Sequence, residues 1–384
     1  MILRPVWAEV DLAAIRHNVG ALAALAAPAR LCAVVKAGAY GHGPVEAARA
    51  ALESGATWLA VALVEEGAQL RDAGIGAPVL VLSEPPAWAM ADVVGLGLTP
   101  TVYTEAGVAA AAAAVAAAGA ATAAAGGSPL PVHVKVDTGM HRVGAAPSDA
   151  VKLALTVETT PELELQGVWT HLAVADAPDD PFTDVQIARF VAVLDELAGL
   201  GVHPPLAHAC NSAGLLAHPA ARHDLVRCGL TIYGVAPSPA LADLSRTLRP
   251  ALTLKARVSL VKEVGAGEGV SYGLRFRAER PTVVATVPVG YADGVPWRLT
   301  GAGGEVLIGG RRRPLAGAVT MDQIMVDCGP SGEGGRSVAV GDEVVLLGRQ
   351  GSEEIGAWEW AGRLGTIAYE VLSGIGARVP RVHR

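Results

Sequence analysis

The 384-residue chain carries a net charge of −7 and a sequence pI near 5.8, a balance that argues against a basic nucleic-acid surface and asks for no cationic partner. With 51% hydrophobic residues it can build a large core, and its length suits two domains or one large one. Cys32, Cys210, Cys228 and Cys328 show no CxxC or zinc-like spacing, so no metal site is expected and the thiols read as buried and free in a reducing cytoplasm.

In chain order, Met1 to Val10 reads as a strand with Arg4 and Glu9 interspersed, not as a signal peptide, and the text turns helical after Asp11, an N-cap candidate. Short β-like runs then recur at Leu31–Val35, Trp58–Ala62, Pro78–Leu82, Leu98–Val102, Pro131–Val136, Leu163–Thr170, Leu206–Ala209 and Leu225–Arg227. Most are followed by Ala/Leu/Glu-rich segments of helical length. Eight such alternations predict an N-terminal (β/α)8 TIM-type barrel, with a doubly wound open sheet as the alternative. The apolar run Val108 to Ala125 is nearly all alanine and small residues, too weakly apolar for a membrane span; it reads as a surface helix ended by Gly126-Gly127-Ser128-Pro129.

The rhythm breaks at Pro237-Ser238-Pro239. Beyond Leu248 come β-like runs at Leu252–Lys262, Thr282–Pro288, Val306–Ile308, Ala316–Asp327 and Glu343–Leu347, without long helices between them. Arg311-Arg312-Arg313 reads as a hairpin turn. One helix is expected over Ser352 to Leu364, with Ser352 as N-cap and Glu353-Glu354 in its first turn. The division is a barrel over 1–245 and a mostly β domain over 246–384.

Chemistry concentrates where the barrel strands end. Lys36 ends the first run, ahead of a Gly-rich turn carrying Tyr40; the fifth run leads to Lys135, Asp137 and Arg142, the sixth to His171, the seventh to Asn211 and Ser212, and the eighth to Arg227, Gly229 and Leu230. Only five of the 30 basic residues are lysines, so a lysine that remains has better odds of being needed as an amine. An amine desolvated at a strand end can form a Schiff base, and a glycine opening a helix near Ser212 can cradle a phosphate. An aldehyde that is also a phosphate suits both, which points to pyridoxal 5′-phosphate (PLP).

These stretches resemble the alanine racemase family over essentially the whole chain. The resemblance rests on Val34-Val35-Lys36-Ala37-Gly38-Ala39-Tyr40-Gly41-His42-Gly43, Lys135 to Arg142, Trp169 to Ala173, Asn211-Ser212, Arg227 to Gly234, Val270 to Gly273, Gly290 to Gly294, Met321 to Gln323 and Thr366 to Glu370. It implies a PLP-dependent enzyme that interconverts L- and D-alanine by two bases, Lys36 and Tyr272. Lys36 would also carry PLP, while Tyr272 would reach the other face of the cofactor from a partner subunit. His171 would stack near the pyridine ring, Arg227 would meet its nitrogen, and Arg142 its phenolic oxygen. Tyr40, Ser212, Gly229, Leu230 and Tyr369 would hold the phosphate, with Asn211 beside them. Arg142, Met321, Asp322 and Tyr291 would serve the substrate pocket and its access path, and Lys135 matches a lysine often carbamylated in the family. The resemblance further implies a homodimer with composite sites, a cytoplasmic location and supply of D-alanine for peptidoglycan.

The sequence departs from the family pattern at Gly38, commonly Asn, at Thr320, often Cys, and at Trp297, often basic. The alternatives are a racemase for another small amino acid such as serine and a non-catalytic PLP-binding homeostasis protein. The second lacks a β domain with its tyrosine, which residues beyond Leu248 supply.

Overall fold

The computed structural model describes residues 4–122, 128–330 and 338–384. The chain divides into two compact units: Ala14–Ala39 with Pro44–Arg249, and the residues up to Ala13 with Tyr40–Gly43 and Pro250–Arg384. The units therefore do not follow a single cut such as the one expected after residue 245. The first strand, β1 (Val6–Val10), belongs to the second unit.

The first unit is a barrel. Its strands are β2 (Arg30–Val34), β3 (Ala56–Val61), β4 (Val79–Val81), β5 (Thr99–Val102), β6 (Leu130–Lys135), β7 (Leu163–Trp169), β8 (Leu206–His208) and β9 (Leu225–Cys228). All pair in parallel in the order β8-β7-β6-β5-β4-β3-β2-β9, each within a residue or two of its expected run. The seam between β8 and β9 is stitched by Asp224 N to Ala207 O (3.0 Å) and Arg227 N to Cys210 O (3.0 Å). In a parallel barrel both faces of each strand are covered, so Leu31, Leu59, Leu80, Val134 and Val168 are all buried. The alanine-rich run forms a helix over Glu105–Thr122. The Gly126-Gly127 part of its expected terminator lies outside the described residues. Among the described residues, no helix is long and apolar enough to cross a membrane. Cys32, Cys210 and Cys228 are buried and free, and Cys328 is half-buried and free.

The second unit is mostly β. It adds β10 (Leu252–Arg257), β11 (Leu260–Val264), β12 (Gly269–Val270), β13 (Phe276–Arg277), β14 (Thr282–Val287), β15 (Glu305–Ile308), β16 (Arg311–Pro314), β17 (Ile324–Asp327), β18 (Glu343–Gln350), β19 (Glu353–Ile355) and β20 (Arg381–His383). The largest sheet runs β16-β15-β18-β10-β1-β20, with β19 on β18, beside a smaller β11-β14-β17 sheet and the β12-β13 ribbon. Strand β1 lies inside the large sheet, antiparallel to β10 and parallel to β20. Tyr40–Gly43 groups with this unit for a local reason: Arg381 Nε donates to Gly41 O (2.8 Å) and His383 Nε2 to His42 O (2.8 Å).

Four readings of this unit are corrected. The run Leu252–Lys262 is two strands, β10 and β11, in different sheets. Only Ile324–Asp327 of Ala316–Asp327 is strand. The chain turns at Gly317, where a Cβ would stand 2.5 Å from Val270 O. Arg311 to Arg313 are strand residues of β16, and the turn is made by Gly309 and Gly310, both at positive φ. Ser352 is not an N-cap: Glu353-Glu354 pair as β19 with Gln350 and Arg349, and the helix is Ala357–Leu364, preceded by Gly356. A second helix, Ala368–Ser373, carries Tyr369.

Candidate active site

Parallel pairing puts the carboxyl ends of β2 to β9 at one rim. Lys135 and Trp169 are the last residues of β6 and β7, His208 ends β8, Arg227 lies on β9 and Lys36 follows β2 by two residues. After Lys36 the backbone is left-handed for four residues: Ala37 (φ 52°), Gly38 (φ 62°), Ala39 (φ 56°) and Tyr40 (φ 53°). Such a run costs about 1–2 kcal/mol for each non-glycine residue, and strain of this kind persists where neighbours enforce it. Here Glu66 Oε1 accepts the Ala37 N–H at 2.6 Å, while its other oxygen caps Ala62 and Leu63. The departure at Gly38 follows: glycine and asparagine are the residues that best tolerate this backbone.

Arg227, like Lys135, is a buried cation of the rim, 3% exposed. One guanidinium nitrogen meets His208 Nδ1 (2.7 Å); the other donates to Thr170 O (2.8 Å) and Ala209 O (3.0 Å) and faces His171 Nδ1 (3.3 Å). Because arginine only donates, His208 Nδ1 must accept. Its proton then sits on Nε2, which lies 2.8 Å from His133 Nδ1. Burial, then the Arg227 charge, holds His208 and His171 well below the usual imidazole range; burial also pushes His133 down to about 3. All three rings are therefore neutral at pH 7. Trp169 bears the charges above it, with the Arg227 guanidinium 4.5 Å and Lys135 Nζ 4.6 Å from its ring centroid, while His208 stacks on it at 5.6 Å.

Two amines share this environment. Burial, then the charge of Arg142, lowers the Lys36 pKa against an opposing pull from Glu66. Lys135 falls further, to about 7, through burial and then Arg142 and Arg227. Arg142 is placed by the loop before it, where Asp137 Oδ1 accepts from Gly139 N (2.9 Å) and His141 N (3.0 Å). Opposite β6, Gln186 braces the rim by donating to Thr138 Oγ1 (3.1 Å) and His171 O (3.1 Å).

The phosphate-cradle residues differ in part from expectation. Gly229 N is not open: it donates to Ser212 Oγ at 2.9 Å, as does Thr231 Oγ1. With two donors arriving, the Ser212 hydroxyl has its own proton to give. Leu230 opens a 3-10 turn, Leu230–Tyr233, whose first N–H groups have no acceptor within the turn. Asn211 Oδ1 caps the helix Ser212–Ala217 through Gly214 N (2.8 Å), a structural use of that side chain.

The other expected residues lie in the β unit. Tyr40 and Tyr369 come together, ring centroids 6.1 Å apart. Tyr272 is 77% exposed, on a turn with Ser271, Gly273 and Leu274 at positive φ. Tyr291 and Met321 are also exposed, and Asp322 pairs with Arg378 at 2.7 Å. Trp297 stacks under the Arg275 guanidinium, 4.9 Å from its ring. Thr320 closes a turn with Gln323, donating to its carbonyl (2.8 Å) and accepting its N–H (3.1 Å).

Sequence reasoning assigned no part to Glu66, His133, Trp169, Gln186 or His208. Trp169 stood inside a quoted motif and His208 inside a predicted strand, where an inward-facing histidine among apolar neighbours was the available signal.

Residues 10–237 match the family description "Alanine racemase, N-terminal domain" and residues 251–383 match "Alanine racemase, C-terminal domain". An alanine racemase of Symbiobacterium thermophilum is 48% identical over 382 residues, covering 99% of this chain and 97% of that protein. The crystal structure of alanine racemase from D-cycloserine-producing Streptomyces lavendulae is similar at a TM-score of 0.91 and 40% identity, covering 100% of this chain and 98% of that one. The alanine racemase of Bacillus anthracis with bound L-Ala-P is similar at 0.90 and 38%, covering 100% and 96%.

Proposed function

The chain belongs to the alanine racemase family, and on that premise we propose that it interconverts L- and D-alanine with PLP, using Lys36 and Tyr272 as bases. The observation that carries this reading is the rim of the barrel, where two amines with lowered pKa values stand among fixed cations.

The donor set fits the cofactor. A neutral amine at Lys36 is the form able to add to an aldehyde. The Ser212 hydroxyl and the first N–H groups of the Leu230 turn suit a phosphate, as do the hydroxyls of the Tyr40–Tyr369 pair. Arg227 would meet the ring nitrogen with a guanidinium that keeps its proton even at a pKa lowered to about 10, so it can only donate there. When bound, the cofactor supplies the electron sink that makes the α-proton removable.

Racemisation then needs a proton removed on one face and returned on the other. The Lys36 amine serves one face, since burial and Arg142 leave it a competent base. A phenol is the second base, and Tyr272 is the candidate. In its own unit that ring stands in solvent, where a phenol makes a poor base, so the reading assigns it to the site of a second copy. Lys135, with a pKa near 7, presents enough neutral amine to add carbon dioxide and release a proton; the resulting anion would face Arg142. The reading extends to a cytoplasmic homodimer that supplies D-alanine for peptidoglycan.

The test is direct. Purified protein with PLP and L-alanine should yield D-alanine by chiral chromatography, and Lys36→Ala should abolish it. A PLP-loaded protein that yields none refutes the substrate assignment.

A further inference from the structure

Asp293 is a fully buried carboxylate whose position nothing above explains. It lies within the β unit, in the turn Tyr291–Asp293, and both its oxygens are engaged. Oδ1 accepts from Arg4 at 2.6 Å and faces Arg378 Nε at 3.5 Å; Oδ2 accepts from Arg4 at 3.1 Å and from Gly290 N at 3.0 Å. The same Arg378 reaches Asp322 at 2.7 Å, so the charges alternate along Arg4, Asp293, Arg378 and Asp322.

The backbone around this line is zipped. Tyr291 N donates to Thr320 O (2.9 Å), Ala292 N to Met321 O (3.1 Å), and Gly376 N to Asp293 O (3.0 Å). The segments approach so closely that a Cβ on Gly290 would stand 2.2 Å from Thr320 O, and one on Gly294 2.3 Å from Gly374 O. From this crossing two side chains project into solvent, Tyr291 (44% exposed) and Met321 (52% exposed). A fork that faces a buried carboxylate in one turn and bonds an exposed one in the neighbouring loop holds both segments at a fixed separation, which lysine, a point donor, does less well.

We propose that Arg378 is a positioning residue: by bridging Asp293 to Asp322 it fixes the Met321 loop against the Tyr291 turn, and so sets how tightly the amino-acid substrate is held. This rests on the functional reading above, which gives Tyr291 and Met321 to the substrate pocket. Arg378 is half exposed, so its variants keep the core.

The experiment compares PLP-loaded wild type, Arg378→Gln and Arg378→Lys. Alanine kinetics are read alongside hydrogen exchange of peptides spanning residues 288–296 and 316–324. Arg378→Gln should raise KM for alanine by about fivefold with kcat nearly unchanged. It should speed exchange in both peptides, leave the bound-cofactor spectrum as it was, and be partly rescued in Arg378→Lys. Faster exchange without a change in KM would make the bridge merely structural and overturn the proposal, as would unchanged exchange. A wild type that does not racemise alanine would refute the functional reading instead. The proposal in its present form, which concerns substrate, would then fall with it, while the exchange arm would still report whether Arg378 couples the two segments.

Discussion

Replacing Lys135 by methionine should make the cofactor-free protein harder to unfold. Burial and the cations Arg142 and Arg227 bring the Lys135 pKa from 10.5 to about 7. At 1.36 kcal/mol for each tenfold change, that fall corresponds to about 5 kcal/mol of unfavourable free energy when the amine is charged. Relaxation and water penetration reduce the realised figure, and roughly 2 kcal/mol is expected. Methionine keeps the apolar stem over Trp169 and discards the charge. The sign follows from linkage: the folded state binds this proton more weakly than the unfolded one, so the burden is complete below pH 7 and disappears as pH rises towards 10.5. Thermal unfolding in buffers stripped of carbon dioxide should show the variant melting about 2–3 °C above the parent at pH 6–7, because a chain of 384 residues has an unfolding entropy of about 0.8 kcal/mol/K. The gap should be about half as large at pH 9. Adding bicarbonate should narrow it, because a carbamate on Lys135 would attract Arg142 where an ammonium repels it. A variant that melts lower in stripped buffer, or a gap independent of pH, would refute the electrostatic reasoning.

Tyr272→Phe should slow α-proton removal from one enantiomer of alanine far more than from the other, measured by solvent deuterium uptake; equal slowing would contradict a two-base division. Gly41→Ala forces a Cβ to within 2.4 Å of Leu372 O at a φ of +83°. It should cost about 2 kcal/mol and, by moving the helix that carries Tyr369, weaken PLP binding in a fluorescence titration; unchanged affinity would separate that contact from the cofactor. Arg312 joins Glu305, Glu353 and Glu359. Arg312→Ala should lower the melting temperature by a few degrees at low salt, with the loss reduced at high salt because the network is partly exposed.

The barrel was legible because each parallel strand is buried on both faces, which writes it as a short apolar run, and most are followed by a segment of helical composition. The β unit was less so. Ser352-Glu353-Glu354 has the composition of a capped helix start, yet Gly351 turns the chain back and Arg312 and Arg349 take the two glutamates as partners in β19. Local propensity lost there to tertiary pairing. The candidate residues at the strand ends were legible from position alone. What fixes them was not: His208 and Glu66 act on residues distant in sequence, and Asp293 is explained by Arg4, 289 positions away.

Strand β1 has a consequence for how the molecule is made. It pairs with β10, Val6 opposite Ala256, and with β20, Ala8 opposite Arg381. The barrel is thus spliced into the middle of another domain's sequence. During synthesis β1 must wait for both of its neighbours, β10 and β20, which follow only after every strand of the barrel has been made. The barrel can condense meanwhile, so assembly of the β unit is the late step, and an unpaired β1 is the segment exposed to mispairing until then. Trimming the first ten residues would accordingly damage not the barrel that follows them but the interior of a sheet encoded largely beyond residue 250.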